Sequence, residues 1–568
     1  MAAATAAIAL APGVSHALLN EPAPRTLDLM TPDPLVRRAQ KALSDAGLYQ
    51  GEINGLKDFV TEDAVRAFQS QNGVKPDGSI TPDLVGRIET ASQVSALLGR
   101  LERVRRESSD AALKALLSRP ETRDLVGAPE REAADPTRDA GPCFRAPTVE
   151  CLLGEAAESS KAIHSEDQRD WALGELLAAQ AKAGLAAEAR QTLRRLKDPR
   201  MVMTSLRDIA EAQATAGRPD EAMAAAEIIP ESLKKAEAYT ALVEIAARRR
   251  HADDALATAQ ALDRELENVE APLRRIGLHA RVAAALAKVG RHGEADSHLD
   301  KARRLAADGT PAEEQGVALR TIASALAEMG RPSDALALLE RVTRDEDRMP
   351  VLVAAATAQA AAGDADEALV TAATIDEGRY RAVVLARVAV AQLRAGAGDA
   401  ARSSLALAQK NVAEIKLPFA RDYALSRIAG ALSEIARAEW SAADPGAARR
   451  SFDEASEAAL RITDKKLRAY TLWTLADDRR RLGDADGAQE TETRAEKATA
   501  DIESRLSQVW MMSDLAAARM EAGESASARA AFDRGLKIAE GVQNAWSRTR
   551  LLSRLAASLL LVGMENRP

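Results

Sequence analysis

Apolar residues recur along most of this chain at helical spacing. Ahead of Gly217, the residues Leu206, Ile209, Ala210 and Gln213 fall at i, i+3, i+4 and i+7, one face of a helix. The same set stands before Gly330 (Leu319, Ile322, Ala323), Gly396 (Leu385, Val388, Ala389) and Gly483 (Leu472, Leu475, Ala476). Each stretch closes on a glycine, which supplies the left-handed backbone that ends a helix. Acidic residues follow, as in Asp220-Glu221-Ala222, where they favour the N-terminus of a second helix. The pattern predicts helix, tight turn, helix.

This unit repeats. Eleven alanines mark it: Ala156, Ala189, Ala222, Ala255, Ala295, Ala335, Ala368, Ala401, Ala448, Ala488 and Ala528. The gaps between them are 33, 33, 33, 40, 40, 33, 33, 47, 40 and 40 residues. A fixed period of this size marks stacked copies of one supersecondary unit. Seven residues make close to two helical turns, so the longer gaps predict lengthened helices whose buried face keeps its direction. The expected fold is all-α: a right-handed α-solenoid of about eleven helix pairs over residues 148–568, preceded by a small three-helix bundle. The pattern is poorest at Arg248-Arg249-Arg250-His251, where the glycine is missing. A count of 40 beyond Gly523 reaches Gly563, so Arg548 to Leu561 is expected to form a final, unpaired helix acting as a cap.

The triplets Ala210/Gly217/Ala222, Ala323/Gly330/Ala335 and Ala356/Gly363/Ala368, with Phe452 and Phe532 four residues after the alanine, resemble the tetratricopeptide repeat. The departures are a leucine where the family has tryptophan, glutamines (Gln180, Gln213, Gln359, Gln392) where it has tyrosine, and a mostly missing closing proline. The resemblance implies stacked helix pairs with a concave groove for a partner protein or peptide.

Residues 33–90 follow a different plan. An apolar helix face (Val36, Ala39, Leu43) leads to a glycine-rich turn, and a second helix is expected to open at Thr61 as N-cap and to bury Ala64, Val65 and Phe68. A third short helix follows Thr81-Pro82, with proline at its first position. The order Gln40, Leu43, Gly47-Leu48-Tyr49, Asn54-Gly55, Thr61, Phe68-Gln69, Gly73, Asp77-Gly78, Leu84 closely resembles the peptidoglycan-binding-like domain of bacterial cell-wall hydrolases. Two positions depart from it: Asn54-Gly55 replaces Asp-Gly, and Asp58-Phe59 replaces Gly-Pro. The resemblance implies wall contact through the loops. There Tyr49 either stacks on a sugar or is a core aromatic with a polar tip. Asn54 and Asp77 either bind hydroxyls and amides or bond their own turns.

Between the two regions, residues 91–118 are expected to form an amphipathic helix (Val94, Leu97, Leu98, Leu101, Val104), and residues 119–147 a proline-rich linker. The first 17 residues read as a secretory signal lacking its positive start, or else as an alanine-rich tail. Residues 18–32 read as another proline-rich linker. In an oxidising compartment Cys143 and Cys151, eight positions apart, could close a short disulfide loop. Alanine dominates an apolar fraction of 46% and aromatics make up 3%, which suits closely approaching helices and disfavours β architectures. A net charge of −8, spread along the chain, gives no reason to expect nucleic acid. No apolar run reaches the ~20 residues of a membrane span.

Catalytic and cofactor motifs are missing. Gly396-Ala397-Gly398 mimics a dinucleotide fingerprint but lies between two helices, and its glycine and alanine are repeat positions. His292, Glu294 and His298 cluster, yet the two histidines are six apart and do not share a helix face, so no metal is expected. One polar feature recurs: an arginine in the first turn of many first helices, namely Arg169, Arg275, Arg348, Arg381, Arg421, Arg468 and Arg548. A cation there opposes the helix dipole. It pairs with an acid of the preceding helix, such as Asp167, Asp376 or Asp464, or it forms a ladder gripping an acidic partner. The expectation is a non-enzymatic, exported (periplasmic) scaffold without cofactor, binding peptidoglycan at one end and protein along the groove. The alternatives are a regulatory subunit of a wall hydrolase and a cytoplasmic adaptor.

Overall fold

The computed structural model describes residues 32–126 and 132–563; the signal-like segment and residues 18–31 lie outside them. All regular structure among the described residues is helical. The chain divides into two compact units, residues 1–108 and 109–568.

The first unit opens with α1 (Pro34–Asp45), α2 (Phe59–Gln71) and α3 (Pro82–Leu117). Leu43, Tyr49, Val65, Phe68, Leu84 and Ile88 form its core. Helix α2 begins two residues before Thr61. Its N-cap is Asp58, whose carboxylate accepts from the Thr61 amide at 2.8 Å and the Thr61 hydroxyl at 2.6 Å. The charged cap outcompetes Thr61, which is drawn inward and fully buried. The expected third helix and the expected amphipathic helix are one continuous α3, because no proline follows Pro82 before Pro120 and the helix tolerates Gly86 and Gly99.

In the second unit the proline-rich stretch is not a free linker. It holds α4 (Pro120–Arg123) and α5 (Gly141–Arg145), and it buries Leu125 and Cys143 in the same core as the repeats. A disulfide joins Cys143 to Cys151, with Cα atoms 5.8 Å apart. Then comes α6 (Val149–Lys161), followed by ten helix pairs. These are α7 (Glu166–Ala183) with α8 (Ala186–Arg194), α9 (Pro199–Thr215) with α10 (Pro219–Glu227), and α11 (Ser232–Arg248) with α12 (Ala252–Leu266). Next are α13 (Pro272–Lys288) with α14 (His292–Asp308), α15 (Gln315–Glu328) with α16 (Pro332–Ala337), α17 (Asp345–Ala362) with α18 (Ala365–Ala373), and α19 (Gly378–Arg394) with α20 (Gly398–Val412). Finally come α21 (Pro418–Ser441) with α22 (Pro445–Leu460), α23 (Lys465–Leu482) with α24 (Ala485–Ala500), and α25 (Arg505–Glu521) with α26 (Ser525–Glu540). Helix α27 (Ala545–Gly563) follows them and is the last among the described residues.

The added sevens lie where the spacing implies. In 33-residue units the second helices α8, α10 and α18 have 9 residues. In 40-residue units α12, α14, α22, α24 and α26 have 15 to 17. The 47-residue gap lengthens both α20, at 15 residues, and the first helix α21, at 24. Every ladder alanine is buried on the inward face of its second helix, where only a methyl group separates it from the first helices.

The last helix does not stand unpaired. It packs on α6 as a first helix packs on its second, and α27 also lies against α7 and α25. Eleven first helices (α7 to α27, odd-numbered) thus touch neighbour to neighbour in a closed circle, and α6, the carrier of Ala156, completes the eleventh pair. The stack of helix pairs closes on itself as a ring. Neighbouring second helices do not pack on one another to a comparable degree, so the first helices converge and line the inner face. Arg550 of α27 fastens the closure. Its guanidinium donates to Glu175 of α7 at 2.6 and 2.9 Å and lies over the rings of Trp546, Trp510 and Trp171, at 4.4, 4.6 and 5.9 Å from their centroids.

Glycines at φ between 75° and 94° end most first helices, from Gly184 to Gly523. Two turns lack one: Arg250 at φ 63° and Ala443 at φ 60° hold the left-handed conformation themselves. A Cβ there costs ~1–2 kcal/mol, part of which glycine gives back as unfolded-chain entropy. Ala443→Gly is therefore expected to stabilise the protein by about 1 kcal/mol, read as a higher denaturation midpoint. Arg550→Ala strands Glu175 beside the three indoles, a loss of about 2–3 kcal/mol for a mostly buried pair. It is expected to raise amide exchange first in α6, α7 and α27, where the ring opens, and much less in α15 and α17.

Candidate functional site

In the first unit the residues expected to touch glycan are spent internally. Tyr49 is 3% exposed and its hydroxyl donates to the Glu52 carbonyl at 2.8 Å, so it is a core aromatic and cannot stack on a sugar. Asn54 Oδ1 accepts from the Leu56 amide at 2.9 Å and from Gln40 Nε2 at 3.3 Å. Asp77 Oδ1 accepts from the Ser79 amide at 2.9 Å, the Ser79 hydroxyl at 2.6 Å and Gln69 Nε2 at 2.9 Å. Hydrogen bonds from the Ser79 hydroxyl and amide, then from Gln69, pull the Asp77 carboxyl down to about 2.

These bonds reveal an internal duplication. Buried Gln40 of α1 accepts from the Gly55 amide at 2.8 Å and donates to Asn54, while buried Gln69 of α2 accepts from the Gly78 amide at 2.9 Å and donates to Asp77. Gly55 and Gly78 both take left-handed backbone, φ 81° and 72°. Each helix pins the Asx-Gly turn that follows it through one glutamine. Asn54 in place of aspartate makes the same turn, so that departure leaves the geometry intact. Among the described residues of this unit outside α3, the large exposed apolar side chains are Ile53, Phe59 and Val60, and Phe59 is 84% exposed. Phe59 stands at one of the two positions where the sequence departs from the family pattern, and that departure was the signal for it.

The arginines of the first turns have a structural task that neither sequence reading named. Arg348 donates to the Leu339 and Val342 carbonyls at 2.6 and 3.0 Å, Arg381 to the Asp376 carbonyl at 3.0 Å, Arg468 to the Ile462 carbonyl at 3.3 Å, and Arg548 to the Val542 carbonyl at 3.2 Å. The acceptors are backbone oxygens at or just past the end of the preceding second helix, where carbonyls lack partners and carry partial negative charge. That field outweighs the unfavourable dipole of the arginine's own helix. Arg468 also pairs with Asp501 at 3.2 Å, Arg548 lies 5.4 Å from the Phe144 ring centroid, and buried Arg169 lies 3.9 Å from Glu166. Arg275 and Arg421 are half-buried. Arg348, Arg381, Arg468 and Arg548 thus hold turns together at the junctions between units.

The concave surface is built instead from the inward faces of the first helices. One cleft of about 520 Å³ lies between α25, α27, α7 and α9, lined by Glu175, Lys182, Asp208, Glu211, Trp510 and Arg554 among others. A second, of about 570 Å³, is lined from α11, α13 and α15 and holds the ion pair of Arg281 with Glu244 at 2.7 and 2.8 Å. Both signs of charge face this surface. Desolvation pushes the Asp208 and Glu211 carboxyls up and the Lys182 ammonium down.

His298 is buried, whereas His292 is exposed and Glu294 half-buried, so these three side chains differ in their access to solvent. His298 instead meets His279, Nδ1 to Nδ1 at 3.0 Å, a partner 19 positions earlier that no local motif displays.

Residues 32–88 match the family model described as "Putative peptidoglycan binding domain", and residues 275–345 match the tetratricopeptide repeat model. No curated protein matches the chain at a significant level. Among solved structures, the Ton1535 protein of Thermococcus onnurineus NA1 aligns at 17% identity over 58% of this chain and 98% of its own, with a TM-score of 0.27. A "circular tandem repeat protein with novel repeat topology and enhanced subunit contact surfaces" aligns at 15% identity over 74% of this chain and 96% of its own, with a TM-score of 0.18. At these scores neither likeness bears on the fold, which rests on the helix contacts above. The chain thus carries a peptidoglycan-binding domain followed by repeats of the tetratricopeptide type.

Proposed function

We propose that this protein is a non-catalytic scaffold of the bacterial cell envelope: its first unit holds peptidoglycan, and its ring holds a partner protein or peptide. The observation that carries this reading is the family match over residues 32–88 together with the paired Gln–Asx–Gly turns that keep the domain's geometry. Both matched domain types are binding modules, which supports a binding or scaffold role. The Cys143–Cys151 disulfide supports an oxidising, extracytoplasmic compartment over a cytoplasmic adaptor. With Tyr49, Asn54 and Asp77 committed to the fold, wall contact falls to the exposed edge around Ile53, Phe59 and Val60, where an aromatic face can stack on a sugar.

For the ring, the mixed-charge inner face fits a polar segment bearing both signs rather than an apolar helix. Eleven helices spaced ~9 Å apart around a circle leave a passage on the order of 20 Å. That admits a helix or an extended segment and excludes a folded domain.

The full chain, mixed with purified sacculi and sedimented, is expected to co-pellet above a control protein of similar size and charge. Phe59→Ser is expected to cut that retention about tenfold, the usual scale for losing an aromatic anchor, without changing the melting temperature. Retention no better than the control removes the wall-binding half of the proposal. Unchanged retention of Phe59→Ser moves the contact elsewhere on the domain.

A further inference from the structure

Three side chains from three successive helices converge outside the inner face of the ring: Asp263 of α12, His279 of α13 and His298 of α14. Both imidazoles are buried, at 3% and 4% exposure, and their Nδ1 atoms lie 3.0 Å apart. Asp263 Oδ1 lies 4.0 Å from His279 Nδ1 and 3.7 Å from His298 Nδ1, too far for hydrogen bonds. Among the described residues this oxygen is buried and has no hydrogen-bond donor. An orphaned carboxylate oxygen aimed between two imidazole nitrogens is costly, and something normally relieves such a group.

The triangle has a definite centre. With sides of 3.0, 3.7 and 4.0 Å, a single point lies about 2.1 Å from all three atoms, within the usual zinc–nitrogen and zinc–carboxylate distances. We propose that Asp263, His279 and His298 bind one divalent ion of the zinc class, clasping the second helix of one unit to both helices of the next. Two imidazoles and a carboxylate form a donor set that suits zinc and neighbouring first-row ions rather than calcium or magnesium.

The surroundings agree. Both rings are buried, and a neutral imidazole with a lone pair to offer is the form that binds a metal. Lys301 Nζ holds the other Asp263 oxygen at 2.7 Å, fixing the carboxylate from behind as outer-shell partners do. A surface cleft of about 450 Å³ reaches Asp263 and His279 and gives an ion a way in, with room for a water as fourth ligand. Lys301 and Arg275 bring positive charge to this cleft and so temper the affinity.

The test uses the full chain, stripped with chelator, desalted, and loaded with Zn²⁺ or Co²⁺ alone. The wild type is expected to retain one Zn²⁺ per chain by elemental analysis, to melt several degrees higher with Zn²⁺, and to give a visible Co²⁺ spectrum of low-coordinate type. His279→Gln and His298→Gln are expected to lower Zn²⁺ affinity at least tenfold and to abolish both the Co²⁺ band and the Zn²⁺-dependent melting shift. His292→Gln, at the exposed neighbouring histidine, is expected to behave as wild type. Should a buried variant fail to fold by circular dichroism, Asp263→Asn gives the same readout from a half-exposed position. Wild-type protein that retains no Zn²⁺, or melting shifts that survive in His279→Gln, His298→Gln and Asp263→Asn, would overturn the site and leave the two rings as a simple hydrogen-bonded pair.

Discussion

Closure of the ring is the constraint on which the repeat region depends. A stack of helix pairs that stays open exposes an apolar face at each end, and α27 and α6 would be those ends. Here each end covers the other. Helices α27 and α6 form a first–second pair across the whole length of the region. Arg550 secures that junction through Glu175 and three tryptophans, a dense use of aromatics in a chain with so few. The desolvated guanidinium stacked on indole faces combines charge, hydrogen bonding and area at one point.

Within the ring, a continuous apolar core supplies the bulk of the cohesion between units, and arginines join the units at particular points. First-turn arginines take up carbonyls at the ends of second helices, and a second set does the same for first helices. Arg218 donates to the Ala181 carbonyl at 2.7 Å, Arg249 to the Thr215 carbonyl at 2.6 Å, and Arg250 to the Lys288 carbonyl at 2.9 Å. Small alanine contacts bring the helices close but give little directional preference. The arginine bonds supply direction, because a planar fork reaches particular carbonyls of the neighbouring unit. The same logic recurs in the first unit, where Gln40 and Gln69 fix two turns from within.

A scaffold reading draws these parts together. The first unit matches a wall-binding domain, its side chains at Tyr49, Asn54 and Asp77 maintain its shape, and an exposed Phe59 remains available for contact. The ring offers an inner face of mixed charge rather than a row of arginines. Binding is the common theme of both units, and the histidine–aspartate cluster adds a means to stiffen three helices of the ring.

Much of this architecture is written in local sequence. The helix pair, its length increments and its glycine turn depend on residues within a few positions of one another, so the spacing of Ala222, Gly217 and Leu206 is enough to read them. The small domain was legible for the same reason, since its turns are set by Asn54-Gly55 and Asp77-Gly78. Roles of single side chains were not. Tyr49 in a core and Tyr49 on a surface have the same sequence, and only packing separates them. Whether the stack closes depends on the sum of eleven small rotations between units, and no single unit carries that sum. His279, His298 and Asp263 lie on three helices whose approach is fixed by those same rotations. The sequence by itself therefore determined the repeating unit and its lengths. Only tertiary structure decided that the ends meet, where the arginines point, and which distant polar groups share one site.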